Sequence, residues 1–253
     1  MDVRGNREFL KDSIRLEIDF SATDQSRGVP TPPIEKPVPP GVTPLPLAEP
    51  TSLSFGKNLD LASAFAGRRS HRKFLRESLS PEELSFLLWA TQGIRDPGRK
   101  QPMLRTVPSA GARHALETYV AVLRVNGMDS GLYRYLPSSH ALVPEYPASD
   151  LGKRLAKACL GQTFIGEAAA VFIWATIPYR MEWRYGLAAH RVIPMDAGHV
   201  CQNLYLACQA ISAGTCAVAA YHQQLMDQLL RIDGDEEFAL YLAPVGKVEL
   251  PQP

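Results

Sequence analysis

Leu116-Glu117-Thr118-Tyr119-Val120-Ala121-Val122-Leu123-Arg124-Val125 is the stretch on which the fold turns. Its β-branched and aromatic side chains suit a pleated surface better than a helix. It therefore reads as a central strand. Asn126-Gly127 and Ser130-Gly131 bracket a turn just beyond it, and residues 132–135 and 141–146 follow as a β-hairpin. Ala168 to Ala175 is apolar throughout and of strand length, which implies burial on both faces. Cys216 to Tyr221 and Phe238 to Val245 complete the expected strands.

Helices alternate with these segments. Pro81 to Gln92 carries its own start signal: Ser80 as N-cap, Pro81 in the first turn and Glu83 closing a capping box. Leu84, Leu87, Leu88 and Thr91 share one face, and Gly93 stops the helix. Shorter helices are expected at 58–67, 150–160 and 223–232, and the longest at Met195 to Ala213. The sum is an α+β fold, a mixed and mostly antiparallel sheet flanked by helices.

Residues 1–57 differ in composition and are expected to form an arm preceding the domain at 58–253. Arg7 to Phe20 suits one short helix or strand. Nine prolines fall within the twenty-one residues Pro30 to Pro50, which excludes a regular helix or a central strand. An extended, polyproline-like arm is expected, with Val38, Val42, Leu45 and Leu47 to anchor it.

The 253 residues carry a net charge of +1 with 45% hydrophobic side chains, so nothing electrostatic calls for nucleic acid. No apolar run approaches the ~20 residues needed to span a bilayer. The first fifteen residues lack the apolar centre of a signal peptide. Cys159, Cys201, Cys208 and Cys216 form no Cys-x-x-Cys pair and read as small buried hydrophobes, in keeping with a reducing cytoplasm. No metal site is expected.

Chemistry concentrates in a few segments. Arg68-Arg69-Ser70-His71-Arg72 gathers three guanidiniums and a hydroxyl in five residues. In extended backbone Arg68, Ser70 and Arg72 face one side and can converge on a phosphate, which guanidiniums grip through forked, charge-assisted hydrogen bonds. The bland reading is a solvated basic loop. Pro108-Ser109-Ala110-Gly111-Ala112-Arg113-His114 is a turn before the central strand, and Arg113 stands four residues before Glu117, a possible partner. Asp196-Ala197-Gly198-His199 opens the longest helix with Asp196 as its cap; His199 and Asn203 lie one turn apart. Gly214-Thr215 precedes the small residues Ala217, Ala219 and Ala220, and Pro244-Val245-Gly246-Lys247 lies near the end.

Together, and in this order, these segments resemble the FMN-dependent nitroreductase superfamily, in particular the branch related to thiazoline and oxazoline peptide dehydrogenases. The resemblance runs from about Arg68 to Lys247. It implies a homodimer with FMN at the interface, held by Arg68, Ser70, Arg72 and Lys247. Pro108, Ser109 and Gly111 would reach the flavin from the partner, and Gly214, Thr215 and Ala219 would pass over one of its faces. It further implies that hydride from NADH or NADPH passes through flavin N5 to an electron-poor small molecule such as a nitroaromatic or quinone. The absence of a Gly-x-Gly-x-x-Gly fingerprint fits a nicotinamide that stacks transiently on flavin.

One departure bears on substrate. The dehydrogenase branch carries a Lys-Tyr pair before the Asp-Ala-Gly-His helix, whereas this chain has Arg184-Tyr185. Arginine stays protonated and is no general base. Tyr185 and Arg184 are therefore candidates for the substrate side of a stand-alone oxidoreductase. Two alternatives remain: dehydrogenation of a heterocyclic or peptide-derived substrate with oxygen as acceptor, and a non-catalytic flavin carrier that binds a partner through its proline-rich arm.

Overall fold

A computed structural model describes residues 5–50, 54–55, 59–95 and 103–249. The strands are β1 (Leu45–Pro46), β2 (Leu116–Val122), β3 (Gly131–Leu136), β4 (Ala141–Pro147), β5 (Ala170–Thr176), β6 (Ala213–Thr215) and β7 (Phe238–Lys247). They form one sheet in the order β1-β4-β3-β2-β5-β7-β6, with every neighbouring pair antiparallel. Among the described residues parallel pairing is confined to two isolated bridges, Ser70 with Thr215 and Leu79 with Val125.

The alternation of side chains along a strand sends each residue of β2 and β5 to a defined face. Leu116, Val120 and Val122 of β2 join Ala170, Phe172 and Trp174 of β5 in one core; Tyr119 and Ala121 join Val171, Ile173 and Ala175 in the other. The first core is covered by α2 (Pro81–Gln92) and α6 (Ala189–Ala210). The second lies beneath α3 (Leu151–Ala158), α4 (Phe164–Glu167) and α7 (Gln223–Leu230). Burial on both faces explains why Ala168 to Ala175 is apolar without a break.

The capping box of α2 forms as its sequence requires: the Glu83 N–H donates to Ser80 Oγ at 3.1 Å, and the Ser80 N–H donates to Glu83 Oε2 at 2.9 Å. The first helix, α1, runs Leu61–Gly67 with Asp60 as cap; the expected start at Asn58 and the 57/58 boundary lie outside the described residues. Two expectations shift. The longest helix runs Ala189–Ala210, starting six residues before the expected Met195 and holding Pro194 inside its second turn. The strand expected at 216–221 sits instead at Ala213–Thr215, and beyond it only Val218 pairs, in a bridge to Leu242. The α5 helix (Tyr179–Tyr185) was not expected at all.

Residues 5–22 form short 3-10 turns rather than one helix or strand. The proline-rich segment crosses a layer of buried charge. Arg105 Nη2 donates to the Ile34 carbonyl at 2.8 Å, while Arg134 donates to the carbonyls of Lys36 and Pro37 at 3.1 and 2.9 Å. The Lys36 N–H donates to Glu117 Oε1 at 2.8 Å, and its ammonium to Glu237 and Tyr119 at 2.5 and 3.0 Å. Glu117 also pairs with Arg180 at 2.5 Å and Arg134 at 3.7 Å. Its partners are thus these two arginines and not Arg113.

Candidate functional site

The first cluster gathers around Tyr205 of α6. The Ser70 hydroxyl lies 3.0 Å from the Tyr205 hydroxyl, and the Arg68 guanidinium stacks over the Tyr205 ring at 5.4 Å. Alternation in the extended segment places both on the same side, as the spacing required. Ser70 bridges Thr215, and the His71 N–H donates to the Thr215 carbonyl at 2.9 Å. His71 packs against Gly214, where an added Cβ would stand 2.6 Å from its ring. The Tyr205 hydroxyl also accepts the Ala217 N–H at 2.8 Å, so one phenol ties the Arg68–Arg72 segment to the chain after β6. Sequence reasoning missed Tyr205 because a tyrosine in the apolar stripe of a helix reads as core.

Among the described residues no carboxylate lies within ion-pair distance of Arg68, Arg69 or Arg72. Arg72 is exposed and Arg68 half-buried. The guanidinium of Arg68 beside the Ser70 hydroxyl, with the exposed Arg72 two residues on, makes a donor set suited to a phosphate. Lys247 is placed otherwise. Its ammonium donates to Glu83 Oε1 at 2.5 Å and to the Ile211 carbonyl at 2.7 Å, fastening α2 and the end of α6 to β7. Its charge is balanced by Glu83 rather than offered beside Arg68. Gly214 and Thr215 are buried behind Ser70, and Ala219 lies exposed further along.

The second cluster gathers around Gly111. Pro108 is exposed, and the Ser109 hydroxyl accepts the His114 N–H at 3.0 Å. Gly111, Ala112 and His114 all have positive φ (57°, 53° and 48°), so the loop is tightly coiled. Asp196 does not cap α6, which begins seven residues earlier; it accepts the Ala110 N–H at 3.2 Å and holds the loop against the helix. Burial pushes the Asp196 carboxyl up, opposed by hydrogen bonds from Ser109 and Ala110. An added Cβ on Gly111 would stand 2.7 Å from the Tyr185 hydroxyl and 3.0 Å from Arg184 Nε. Both candidate substrate residues therefore converge on the glycine. Arg113 donates to the Gly111 carbonyl at 3.2 Å and stacks on Trp183 of α5 at 5.1 Å. Asn203 fastens α6 to α2 through the Ala90 carbonyl at 2.8 Å, while His199 is exposed.

The clusters share α6 but not a face. Asp196 and Tyr205 are nine residues apart, which is about 14 Å along the axis and roughly half a turn around it. All four cysteines are buried and free; burial pushes the Cys159 and Cys201 thiols up to about 12, far from nucleophilic use. Among the described residues no group of three histidine, cysteine, aspartate or glutamate side chains is placed to hold a metal ion, and no helix is long and apolar enough to cross a membrane.

Comparison with known proteins gives this geometry a context. A candidate nitroreductase of Methanocaldococcus jannaschii is 36% identical over 191 residues, spanning 76% of this chain and 92% of the relative. The trifolitoxin-processing protein of Rhizobium leguminosarum bv. trifolii is 29% identical over 161 residues, 62% of this chain and 43% of that protein. A candidate nitroreductase structure from Anabaena variabilis superposes with a TM-score of 0.68 at 27% identity, covering 83% of this chain and 42% of the other. The chain thus spans less than half the length of these last two. The E. coli microcin synthetase complex contains a chain of the same fold, with a TM-score of 0.61 at 22% identity over 78% of this chain and 76% of that one. Residues 65–247 match the nitroreductase family, and the chain belongs to it.

Proposed function

We propose that the protein is a homodimeric FMN oxidoreductase in which hydride from NADH or NADPH passes to an electron-poor small molecule of the nitroaromatic or quinone type. The observation that carries this reading is the Arg68 guanidinium beside Ser70 at the edge of the Gly214–Thr215 backbone, with Arg72 exposed two residues on and neither arginine within ion-pair distance of a carboxylate among the described residues. Arg68, Ser70 and Arg72 would bind the FMN phosphate; the buried backbone of Gly214–Thr215 and the small residues after it, Ala219 among them, would lie along the ring. When bound, FMN supplies hydride acceptance and donation, which no amino-acid side chain provides.

The opposed faces of α6 support the dimer. One flavin cannot lie against both the Tyr205 cluster and the Gly111 loop of one chain when these point away from each other. A second copy would bring its Pro108–Gly111 loop to the first chain's Arg68 cluster. Exposed apolar side chains on α1, Leu61 at 62% and Phe65 at 56%, border Arg68 and supply surface for such a contact. Residues 1–57 act in this reading as an arm and 58–253 as the flavin domain, in a cytoplasmic protein that uses neither nucleic acid nor membrane.

On the substrate side, Tyr185 would offer its hydroxyl and Arg184 a fixed positive charge. Arg184 stays protonated and is no general base. Catalysis then rests on placing donor and acceptor against the ring and on electrostatics. An anaerobic titration of the FMN-loaded protein with NADPH and with NADH tests the proposal. Stoichiometric bleaching of the oxidised flavin band supports it, and a spectrum that stays oxidised overturns it. A second reading, dehydrogenation of a heterocyclic or peptide-derived substrate with oxygen as acceptor, draws on the likeness to the trifolitoxin-processing protein. Turnover of such a ring without any nicotinamide would favour it.

A further inference from the structure

Three arginines approach Tyr185, and two of them have no anion of their own. Arg15, from the N-terminal turn Ser13–Glu17, is already paired with Asp12 at 2.7 Å. Arg113 and Arg184 are not: among the described residues no carboxylate lies within ion-pair distance of either. Both flank the backbone of Gly111, Arg113 through its 3.2 Å hydrogen bond to the carbonyl and Arg184 with Nε 3.0 Å from the Cβ position. The Tyr185 hydroxyl lies 2.7 Å from that same position.

Each guanidinium is already oriented by an aromatic ring, Arg113 by Trp183 at 5.1 Å and Arg184 by Tyr185 at 5.5 Å. Stacking fixes the plane of each fork; Arg113 uses its Nε–H on the Gly111 carbonyl and keeps its terminal N–H groups for an in-plane acceptor. Two like charges in a half-buried place repel each other, and burial together with Arg184 lowers the Arg113 pKa. An anion between them removes that repulsion and meets donors whose ordering is already complete. The loop itself is rigidly built, held by Asp196 and by three residues with positive φ.

We infer that Arg113 and Arg184, with the Tyr185 hydroxyl, form an oxyanion subsite that takes a carboxylate or phosphate group of the molecule exchanging hydride with the flavin. The inference rests on the redox reading above. It concerns a cluster separate from Arg68, Ser70 and Arg72, which gather around Tyr205. Two sources share the chemistry: the 2′-phosphate that distinguishes NADPH from NADH, and an acidic group on the acceptor.

The test compares FMN-saturated wild type with Arg113→Gln, Arg184→Gln and the charge-keeping Arg184→Lys. Two ratios of kcat/KM are read: NADPH over NADH with one acceptor, and 4-nitrobenzoate over nitrobenzene with one donor. One ratio is expected to fall by about tenfold or more in both glutamine variants and to recover in part in Arg184→Lys. A fall in the first ratio assigns the subsite to the donor, and a fall in the second to the acceptor. Both ratios staying within about twofold of wild type overturns the inference. A binding titration separates this outcome from failure of the redox reading. Adenosine 2′-monophosphate and 4-nitrobenzoate are titrated against the fluorescence of the protein, in which Trp183 underlies Arg113. Should neither nicotinamide reduce the flavin, saturable quenching that weakens about tenfold in Arg113→Gln and Arg184→Gln still supports the subsite. No quenching, or equal quenching in all variants, refutes it.

Discussion

Replacing Glu117 by glutamine should cost the protein far more than an ordinary strand substitution. Glu117 is 2% exposed, and its carboxylate faces Arg180 at 2.5 Å, Arg134 at 3.7 Å and the Lys36 N–H at 2.8 Å. The arginines are themselves 3% and 1% exposed. In Glu117→Gln, Arg134 keeps Glu145 at 3.0 Å and two arm carbonyls, so its charge stays matched. Arg180 keeps only the His114 carbonyl at 3.4 Å and becomes a buried charge without a counter-ion. Breaking a buried pair from one side costs about 3–5 kcal/mol. The glutamine oxygen still accepts one hydrogen bond, which argues for the lower end. At ~2–4 °C per kcal/mol for a chain of this size, the melting temperature should fall by about 6–12 °C. The measurement is thermal and urea unfolding of flavin-free protein at one fixed concentration, because bound ligand and association add stability of their own. The arm should also become more open to protease, since the Lys36 N–H then donates to a neutral amide oxygen in place of a carboxylate. A loss under about 1 kcal/mol would refute the reasoning and mean that water already solvates this layer.

Other outcomes follow from the site. Arg72→Gln should weaken FMN binding by roughly threefold to tenfold and flatten its salt dependence, read by flavin fluorescence, since Arg72 is exposed and no carboxylate among the described residues lies within ion-pair distance of it. Ser109→Ala should weaken FMN retention and also free the His114 N–H; unchanged FMN affinity would remove the cross-subunit contact from the proposal. Gly111→Ala should cost about 1–3 kcal/mol, because φ is +57° and the new methyl meets the Tyr185 hydroxyl. His114 gives a pH dependence: burial first, then Arg105 and Arg113, hold its pKa down to about 3 against an ordinary value near 6.5. The unfolded chain binds the extra proton between those values, so stability should be fully present above pH 6.5 and decline as pH falls toward 3, with a shallower decline in His114→Phe.

The parts of this protein legible in its sequence are those decided within a few residues. The capping box of α2, the alternation that brings Arg68 and Ser70 to Tyr205, and the two-faced burial of Ala168 to Ala175 each rest on local spacing, and the structure places each as its spacing requires. Where the reading moved, a distant partner decided the matter. Glu117 looked available to Arg113 four residues away, yet residue 113 lies before β2 and in no helix, so helical spacing does not apply. Its partners come from Arg180, Arg134 and Lys36, the last 81 residues away in sequence. Lys247 looked free near the chain's end, but a capping-box glutamate has two oxygens; Glu83 spends one on Ser80 and turns the other to Lys247. Tyr205 holds the cluster of Arg68, Ser70 and Ala217 together from a position whose periodicity reads as core. A side chain can pack in an apolar stripe and still place a hydroxyl at its far end, and only the fold reveals what that hydroxyl meets. The two halves of the candidate flavin site follow the same logic. Each is visible as a motif, but their opposition across α6 depends on which elements pack against Asp196 and Tyr205. That opposition, more than either motif, is what supports the proposal of a second copy of the chain.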